Sequence, residues 1–382
     1  MDLPYALDQI RGRQSARTKL PAWANTEGIV YPPHLNMEQC SSEQTALYKQ
    51  EIAVRLLKEL PTESEPTFAD LTGGFGVDFS YMSKPFKKAL YVERNEQLCS
   101  IATQNFKCLG LNNISTKNGD SIEVLHQLDS VSVLFLDPAR RNSSGGKVVS
   151  MADCEPNVLE LCDEMVKKSH FVVLKLSPML DWHSAVAQLK YVTEVHIVSV
   201  GNECKELLLV LTDRNKTAKG CKSNTIQIFC VNDNDVFSYE EDFYSEVENI
   251  PQQRIFDRNA TLPPYLYEPN ASIMKAGCFA QLSETYGVAA LGHNSHLFVS
   301  PDFLPHFPGR KFQIVNVCTL NKKELRRALA GMTQANIAVR NFPMRVDELK
   351  KRLKLRDGGE HYIFATTRGD KGHILIISKK EV

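Results

Sequence analysis

No cysteine pair of the C-x-x-C type occurs in this chain of 382 residues, although it holds ten cysteines. That absence argues against a zinc ribbon or a redox dithiol, and no metal is expected. Cys40, Cys99, Cys108, Cys154, Cys162, Cys204, Cys221, Cys230, Cys278 and Cys318 are scattered. They read as small buried hydrophobes in a reducing cytoplasm. Net charge is also missing: Lys+Arg and Asp+Glu balance at 45 each, so bulk charge names no partner. Any nucleic-acid surface must come from local clustering. No apolar run approaches the roughly 20 residues of a membrane span, and residues 1–19 lack a signal-peptide core. Fixed-period repeats are absent too. A soluble, cytoplasmic protein of two or three domains with no membrane partner is expected.

What is present is alternation. Residues 1–40 begin basic (Arg11, Arg13, Arg17, Lys19), then pass a proline-marked stretch at Pro32 and Pro33. Ser41 with Gln44 predicts a capping box, and the helix it opens carries Ala46, Ile52, Ala53, Leu56 and Leu57 at core spacing. From Thr67, short apolar runs at 68–71, 89–92, 131–136, 171–176 and 195–200 alternate with helical patterns. Strands of this kind form a parallel sheet covered on both faces. Residues 195–200 and 206–211 are joined by a tight connection and predict a terminal antiparallel hairpin. After 225–231, a further strand, comes acidic loop material. A separate pattern closes the chain: strand 312–317, helix 322–332, strand 336–339, helix 346–353, then strands 362–366 and 373–378. That order describes a small α/β module.

The segment Asp70-Leu71-Thr72-Gly73-Gly74-Phe75-Gly76-Val77-Asp78 follows a buried strand and precedes a helix. Backbone amides approach a charged ligand closely at such turns, and glycine permits the approach. A dinucleotide fingerprint read from Gly74 would put Phe79 where a small residue belongs, so NAD is disfavoured. Glu93, followed by Arg94, ends the second strand, and Asp120-Ser121 follow the third. Three sites at the carboxyl ends of successive parallel strands mark one ligand cleft.

With these positions the sequence resembles class I S-adenosylmethionine (SAM) dependent methyltransferases over residues 67 to about 212. The resemblance implies a Rossmann-like seven-stranded sheet and SAM as cofactor. Asp70, Thr72, Gly73, Gly74, Phe75, Gly76, Glu93, Arg94, Asp120 and Ser121 are then the candidate SAM contacts. Glu93 would accept the ribose hydroxyls, Asp120 the adenine amine, and the Ser121 amide would meet a ring nitrogen.

Asp137-Pro138-Ala139-Arg140-Arg141 ends the fourth strand. Proline fixes the backbone there, so Asp137 and the Pro138 carbonyl can hold a target amine in line with a methyl donor. The segment resembles the Asp/Asn-Pro-Pro-aromatic motif of amino-methylating enzymes, with Ala139 and Arg140 as departures. It is closer to the Asp-Pro-x-Arg motif of RNA uracil-C5 methyltransferases. Those use a cysteine after the fifth strand, where this chain reads Lys175-Leu176-Ser177-Pro178, so nitrogen is the expected acceptor. Asp137, Pro138, Arg140 and Lys175 are the catalytic candidates. Arg141, Gln39 and Ser42 are candidates for substrate contact, with helix capping the alternative for Ser42.

Tyr267-Glu268-Pro269, Ala276-Gly277, Phe307-Pro308-Gly309-Arg310 and Val339-Arg340-Asn341-Phe342, together with the catalytic half, resemble a group of bacterial methyltransferases carrying a C-terminal THUMP-like domain. The expected layout is residues 1–60 as a helical lid, 61–231 as the methyltransferase domain, 232–310 as a linker with a small ferredoxin-like region, and 311–382 as a THUMP-like α/β module. The lid is shorter than that resemblance implies. Lys322, Lys323, Arg326, Arg327, Arg340, Arg345, Lys350, Lys351, Arg352, Lys354 and Arg356 outnumber the acids of that span and fall mainly on the outer sides of the two C-terminal helices, suited to phosphate backbones. RNA is therefore the expected partner, and methylation of a base nitrogen of structured ribosomal or transfer RNA the expected activity. Two alternatives stay open: a methyltransferase acting on DNA, protein or a small molecule, and a non-catalytic SAM-binding protein that interacts with RNA.

Overall fold

The computed structural model describes residues 3–60, 65–140, 151–214, 225–243, 252–368 and 372–381. The chain divides into two compact units, Met1–Asp233 with Glu240–Ser245, and Asn234–Tyr239 with Glu246–Val382.

The first unit opens with four helices, α1 (Leu3–Lys19), α2 (Pro21–Ala24), α3 (His34–Gln39) and α4 (Glu43–Leu57). Its sheet contains β1 (Thr67–Asp70), β2 (Lys88–Glu93), β3 (Ile114–Asn118), β4 (Val131–Leu136), β5 (Ser169–Leu176), β6 (Val192–Val200), β7 (Glu203–Leu211) and β8 (Thr225–Asn232). They lie in the order β8-β6-β7-β5-β4-β1-β2-β3. Strands β1 to β5 pair in parallel. The predicted hairpin is present, and it inserts β7 antiparallel between β5 and β6. Strand β8 adds to β6 in parallel.

These strands read clearly because they are covered on both faces; every residue of β4 is buried. The intervening helices α5 (Val77–Met82), α6 (Glu96–Cys108), α7 (Ser121–Gln127), α8 (Val158–Lys168) and α9 (Trp182–Gln188) do the covering. Four of them start on side-chain caps. Asn95, Asp120, Asn157 and Asp181 each accept a backbone N–H from the first turn. The predicted box at Ser41 and Gln44 is displaced by one residue: Ser42 is the cap of α4, accepting from the Thr45 N–H. Phe68, Phe79, Phe86, Tyr91 and Phe106 pack between helices and sheet. A second cluster joins Ala16, Leu20, Trp23, Tyr31 and Met37 of the N-terminal segment to Phe75, Val77 and Tyr81.

The second unit holds β9 (Tyr265–Pro269), α10 (Ala271–Ala276), α11 (Phe279–Tyr286), β10 (Ala289–Ala290), β11 (Phe298–Ser300), β12 (Gly309–Cys318), α12 (Lys322–Ala328), β13 (Asn336–Arg340), α13 (Val346–Leu353), β14 (His361–Arg368) and β15 (Gly372–Lys380). Its strand order is β10-β11-β9-β12-β15-β14-β13. Side chains alternate along β14, as strand geometry requires. Ile363 and Ala365 pack with Leu349 and Leu353 of α13, whereas Phe364 joins Leu266, Phe312 and Ile376 on the other face. Glu268 of β9 bonds Arg340 of β13 at 2.7 Å although three strands separate them, so the sheet is curled and this face is concave.

Gly76 precedes α5 with φ +87°, and a Cβ there would lie 2.6 Å from the Phe106 ring. Gly76→Ala is expected to destabilise the first unit by about 2 kcal/mol or more. Both tryptophans, Trp23 and Trp182, belong to that unit, so urea unfolding followed by tryptophan emission isolates the change.

Candidate active site

A cavity of about 890 Å³ opens at the carboxyl ends of the parallel strands. Its walls include Asp70, Thr72, Gly73, Gly74, Phe75, Gly76, Glu93, Arg94, Asp120, Ser121, Asp137, Lys175 and Gln39. Residues from five strand ends and the N-terminal segment are thereby brought together. Pro138 is buried but is not a wall residue, and Ser42 is committed to capping α4. Arg140 lies in a two-residue strand whose partner is Cys154–Glu155. Arg141 lies outside the described residues.

The three loop glycines do different work. A Cβ on Gly73 would sit 2.0 Å from the Tyr91 ring, and one on Gly76 would meet Phe106. Both are therefore required by packing. Gly74, at φ +55°, has nothing nearer than the Thr72 carbonyl at 4.0 Å, so it alone leaves the loop open to close approach. Its N–H donates to Glu93 Oε2 at 2.7 Å, while Glu93 Oε1 accepts the Asn95 N–H at 2.8 Å. Glu93 is thus fixed in orientation, with one lone pair left on each oxygen. Asp120 accepts from Ile122 and Glu123 through Oδ1 only. Arg94 is drawn to Glu155 at 2.8 Å. Phe75 packs its ring 4.9 Å from Trp23.

Beneath the cavity floor lies an ionic network. Lys175 Nζ donates to Asp137 Oδ2 at 2.6 Å, Ser41 Oγ at 3.0 Å and Asp78 Oδ2 at 3.4 Å. Ser41 in turn donates to Asp78 Oδ2 at 2.7 Å. Lys49, wholly buried, pairs with Asp78 at 3.1 Å and with Glu206. Burial opposes the charge on Lys175, yet Asp137, Asp78 and Glu206 outweigh it and hold the ammonium well above its ordinary range. Burial likewise opposes ionisation of Asp78, but Lys49 and then Lys175 keep its carboxyl below the usual range. At Asp137 burial pushes upward against Lys175. Its side chain is 41% exposed, so the push is moderated by solvent and the 2.6 Å ion pair prevails. Asp70, 1% exposed, is driven well above its ordinary range by burial, the Thr72 N–H opposing. The Asp137 N–H donates to Thr72 Oγ1 at 2.6 Å, so both backbone and carboxylate are fixed and Oδ1 is left without a partner among the described residues.

Ser41, Lys49, Asp78 and Glu206 were not foreseen as site residues. Ser41 read as a helix cap and Glu206 as part of a hairpin, while Lys49 drew no reading of its own. Contacts across 165 residues leave no local signal. Glu155 and Pro156, also in the wall, escaped for the same reason.

Residues 309–380 match the THUMP domain-like family model, and residues 265–308 match a ferredoxin-like domain. A protein of Porphyromonas gingivalis W83, described as a candidate methyltransferase, superposes with a TM-score of 0.85 at 29% identity, over 100% of this chain and 92% of that one. The chain has the fold of a methyltransferase with C-terminal ferredoxin-like and THUMP-like domains. Lower likeness links it to a candidate RNA methyltransferase of Pyrococcus horikoshii, with a TM-score of 0.36, 15% identity and coverage of 53% of this chain and 94% of that one. A SAM-dependent methyltransferase of Agrobacterium tumefaciens gives a TM-score of 0.30, 15% identity and coverage of 38% and 49%. No curated protein matches the chain. Among the described residues of this methyltransferase fold, no helix is long and apolar enough to cross a membrane. No metal-binding group of His, Cys, Asp or Glu is gathered there either.

Lys175→Met should cost about 2 kcal/mol or more at neutral pH, because it leaves the half-exposed Asp137 without its cation and Asp78 with Lys49 alone. The folded-state pKa of Asp137 then rises above the unfolded value near 4, so the variant loses stability as pH climbs through that window. Urea midpoints at pH 5 and pH 8 test the sign: the deficit against the unsubstituted protein should be larger at pH 8.

Proposed function

We propose that the chain is a SAM-dependent methyltransferase acting on a base nitrogen of structured RNA. The observation that carries the reading is Asp137, whose Oδ2 and backbone N–H are tied while Oδ1 is left toward a cavity already shaped by strand ends. The wall chemistry fits the cofactor. Asp78, Glu93, Asp120, Asp137 and Glu155 outnumber the cations Arg94 and Lys175, which suits a ligand bearing a sulfonium and an ammonium. Glu93 would take the ribose hydroxyls, Asp120 Oδ2 the adenine amine, and the Ser121 amide a ring nitrogen. Gly74 allows the amino-acid end to approach the backbone.

SAM supplies an electrophilic methyl, so the protein's task is positioning. Asp137 Oδ1 and the Pro138 carbonyl would accept the hydrogens of the target nitrogen and set its lone pair in line. Lys175 acts as a positioning residue: it holds Asp137 in one orientation and keeps it an acceptor. Arg140 and Arg141 would pair with the phosphates flanking the target base. The second unit supports RNA as substrate through α12 and α13, where Lys322, Lys323, Arg326, Arg327, Lys351 and Arg352 are exposed. Lys350 is occupied by Asp357 at 2.7 Å and is not a free phosphate contact, and Arg340 lies in β13 with its Nη2 on Glu268.

Calorimetry should detect uptake of SAM or its demethylated product. Labelled methyl should pass to total RNA from cells lacking the protein. Asp137→Asn should keep that uptake and lose methyl transfer by about a hundredfold. RNase-resistant methyl acceptance, or no label in any RNA fraction, would exclude RNA as the substrate.

A further inference from the structure

A second cavity, of about 430 Å³, lies within the second unit and has no part in methyl transfer. That volume falls in the range of small-ligand sites. Three pieces of chain line it: residues 255–258, residues 292–294, and Asn341 from the Val339-Arg340-Asn341-Phe342 motif of the sequence. Each is anchored by bonds of its own. The Phe256 N–H donates to the Ala290 carbonyl at 2.8 Å, and Arg368 Nη2 donates to the Asp257 carbonyl at 2.8 Å and to that of Ala260. Asp257 Oδ1 accepts the Asn259 N–H at 2.9 Å. Ser295, wholly buried, closes the second turn: its Oγ accepts the Gly292 N–H at 3.1 Å and donates to the Gly292 carbonyl at 2.9 Å. The Thr367 hydroxyl donates to the Asn341 carbonyl, and Asn341 holds a left-handed φ of +48°. Loops fixed in this way lose little freedom when a ligand arrives.

The anchors leave a defined set of groups to the wall. The side-chain amides of Asn294 and Asn341, the His293 imidazole and Asp257 Oδ2 make no hydrogen bond among the described residues. All four residues are exposed, so a ligand in the cavity reaches them without rearrangement. Phe256 supplies an aromatic ring, backed by the Arg368 guanidinium 5.4 Å from its centroid. The charges of Asp257 and Arg258 offset each other, which favours a neutral ligand over a phosphate or an ammonium ion. A side-chain amide presents donor and acceptor side by side, as the edge of a heterocycle does. A carboxylate oxygen only accepts, and so selects a ring that carries an amine. An aromatic ring gives such a heterocycle a face to stack on.

From this wall we infer that the cavity binds a nucleobase carrying an exocyclic amine. The base stacks on Phe256, its amine donates to Asp257 Oδ2, and Asn294 and Asn341 bond the rest of its edge. The inference stands on the second unit alone and does not require methyl transfer. Two sources share this chemistry, an unpaired base of an RNA strand and a free nucleoside.

Cytidine and uridine differ at the position that matters, an amine in one and a carbonyl in the other. The test is calorimetric titration of the full chain with each, at millimolar concentration, with SAM's demethylated product present to fill the first cavity. Cytidine should bind more tightly than uridine by about fivefold or more. Asp257→Asn keeps an oxygen for the Asn259 N–H and exchanges the other acceptor for a donor, so that preference should vanish or pass to uridine. Phe256→Leu should weaken cytidine about tenfold, through lost stacking. Asn294→Ala should weaken it about threefold or more. Asn294 is exposed, so its variant should fold unchanged and decides the matter if the Phe256 variant does not fold. Uptake of the demethylated product should be the same in every variant, which separates this site from the methyl-transfer reading. A short oligocytidylate that binds more tightly than cytidine and weakens in the same variants assigns the site to a strand; cytidine binding alone assigns it to a free nucleoside. No uptake of cytidine, equal uptake of the two nucleosides, or cytidine uptake that Asp257→Asn and Asn294→Ala leave unchanged overturns the inference.

Discussion

The first unit depends on the ionic network around Lys175 and Lys49. Two ammonium groups and the carboxylates of Asp78 and Glu206 are withdrawn from water there, Asp137 stays half exposed, and Ser41 links the two halves. Apolar residues of equal volume would hold the fold together as well or better, since desolvating ions offsets much of their attraction. What the charges add is direction. Lys49 comes from α4, Asp78 from α5, Lys175 from β5 and Glu206 from β7, so four elements are set against one another by hydrogen-bond geometry. Ser41, Asp78, Lys175 and Asp137 all reach the cavity, and the orientation of Asp137 is inherited from the others.

That inheritance explains why the N-terminal helices matter to the cleft. Ser41 lies between α3 and α4, so the segment that contributes Gln39 and Cys40 to the wall is joined to the same network that fixes Asp137. Trp23 against Phe75 ties it again from the other side. A ligand that displaced the Ser41 loop would disturb the floor on which Asp137 rests.

The strands of the first unit were legible because parallel strands buried on both faces appear as unbroken apolar runs, as in residues 131–136. The order of cleft loops was legible because each strand ends in a glycine turn or a carboxylate. The roles of the glycines were not. The pattern suggested three residues making way for a ligand, whereas Gly73 and Gly76 make way for Tyr91 and Phe106 and only Gly74 is open. Steric demands from a neighbouring strand or helix carry no signature in the loop itself. The same limit hid Glu206, whose partner Lys49 lies 157 residues away. Helices α10 and α11 went unread because at six and eight residues they are too short to display a period.

The second unit shows the same limit in a different form. Counting lysines and arginines draws attention to α12 and α13, where the charges are plentiful and face solvent. Exposed cations are already satisfied by water, so their number speaks for general attraction to a polyanion and little else. The arginines of the concave face are fewer, but Glu268 and the carbonyls of Asp257 and Ala260 fix their planes. Held arginines fix direction where exposed cations supply only charge, and the curl that brings β9 to β13 is what holds them.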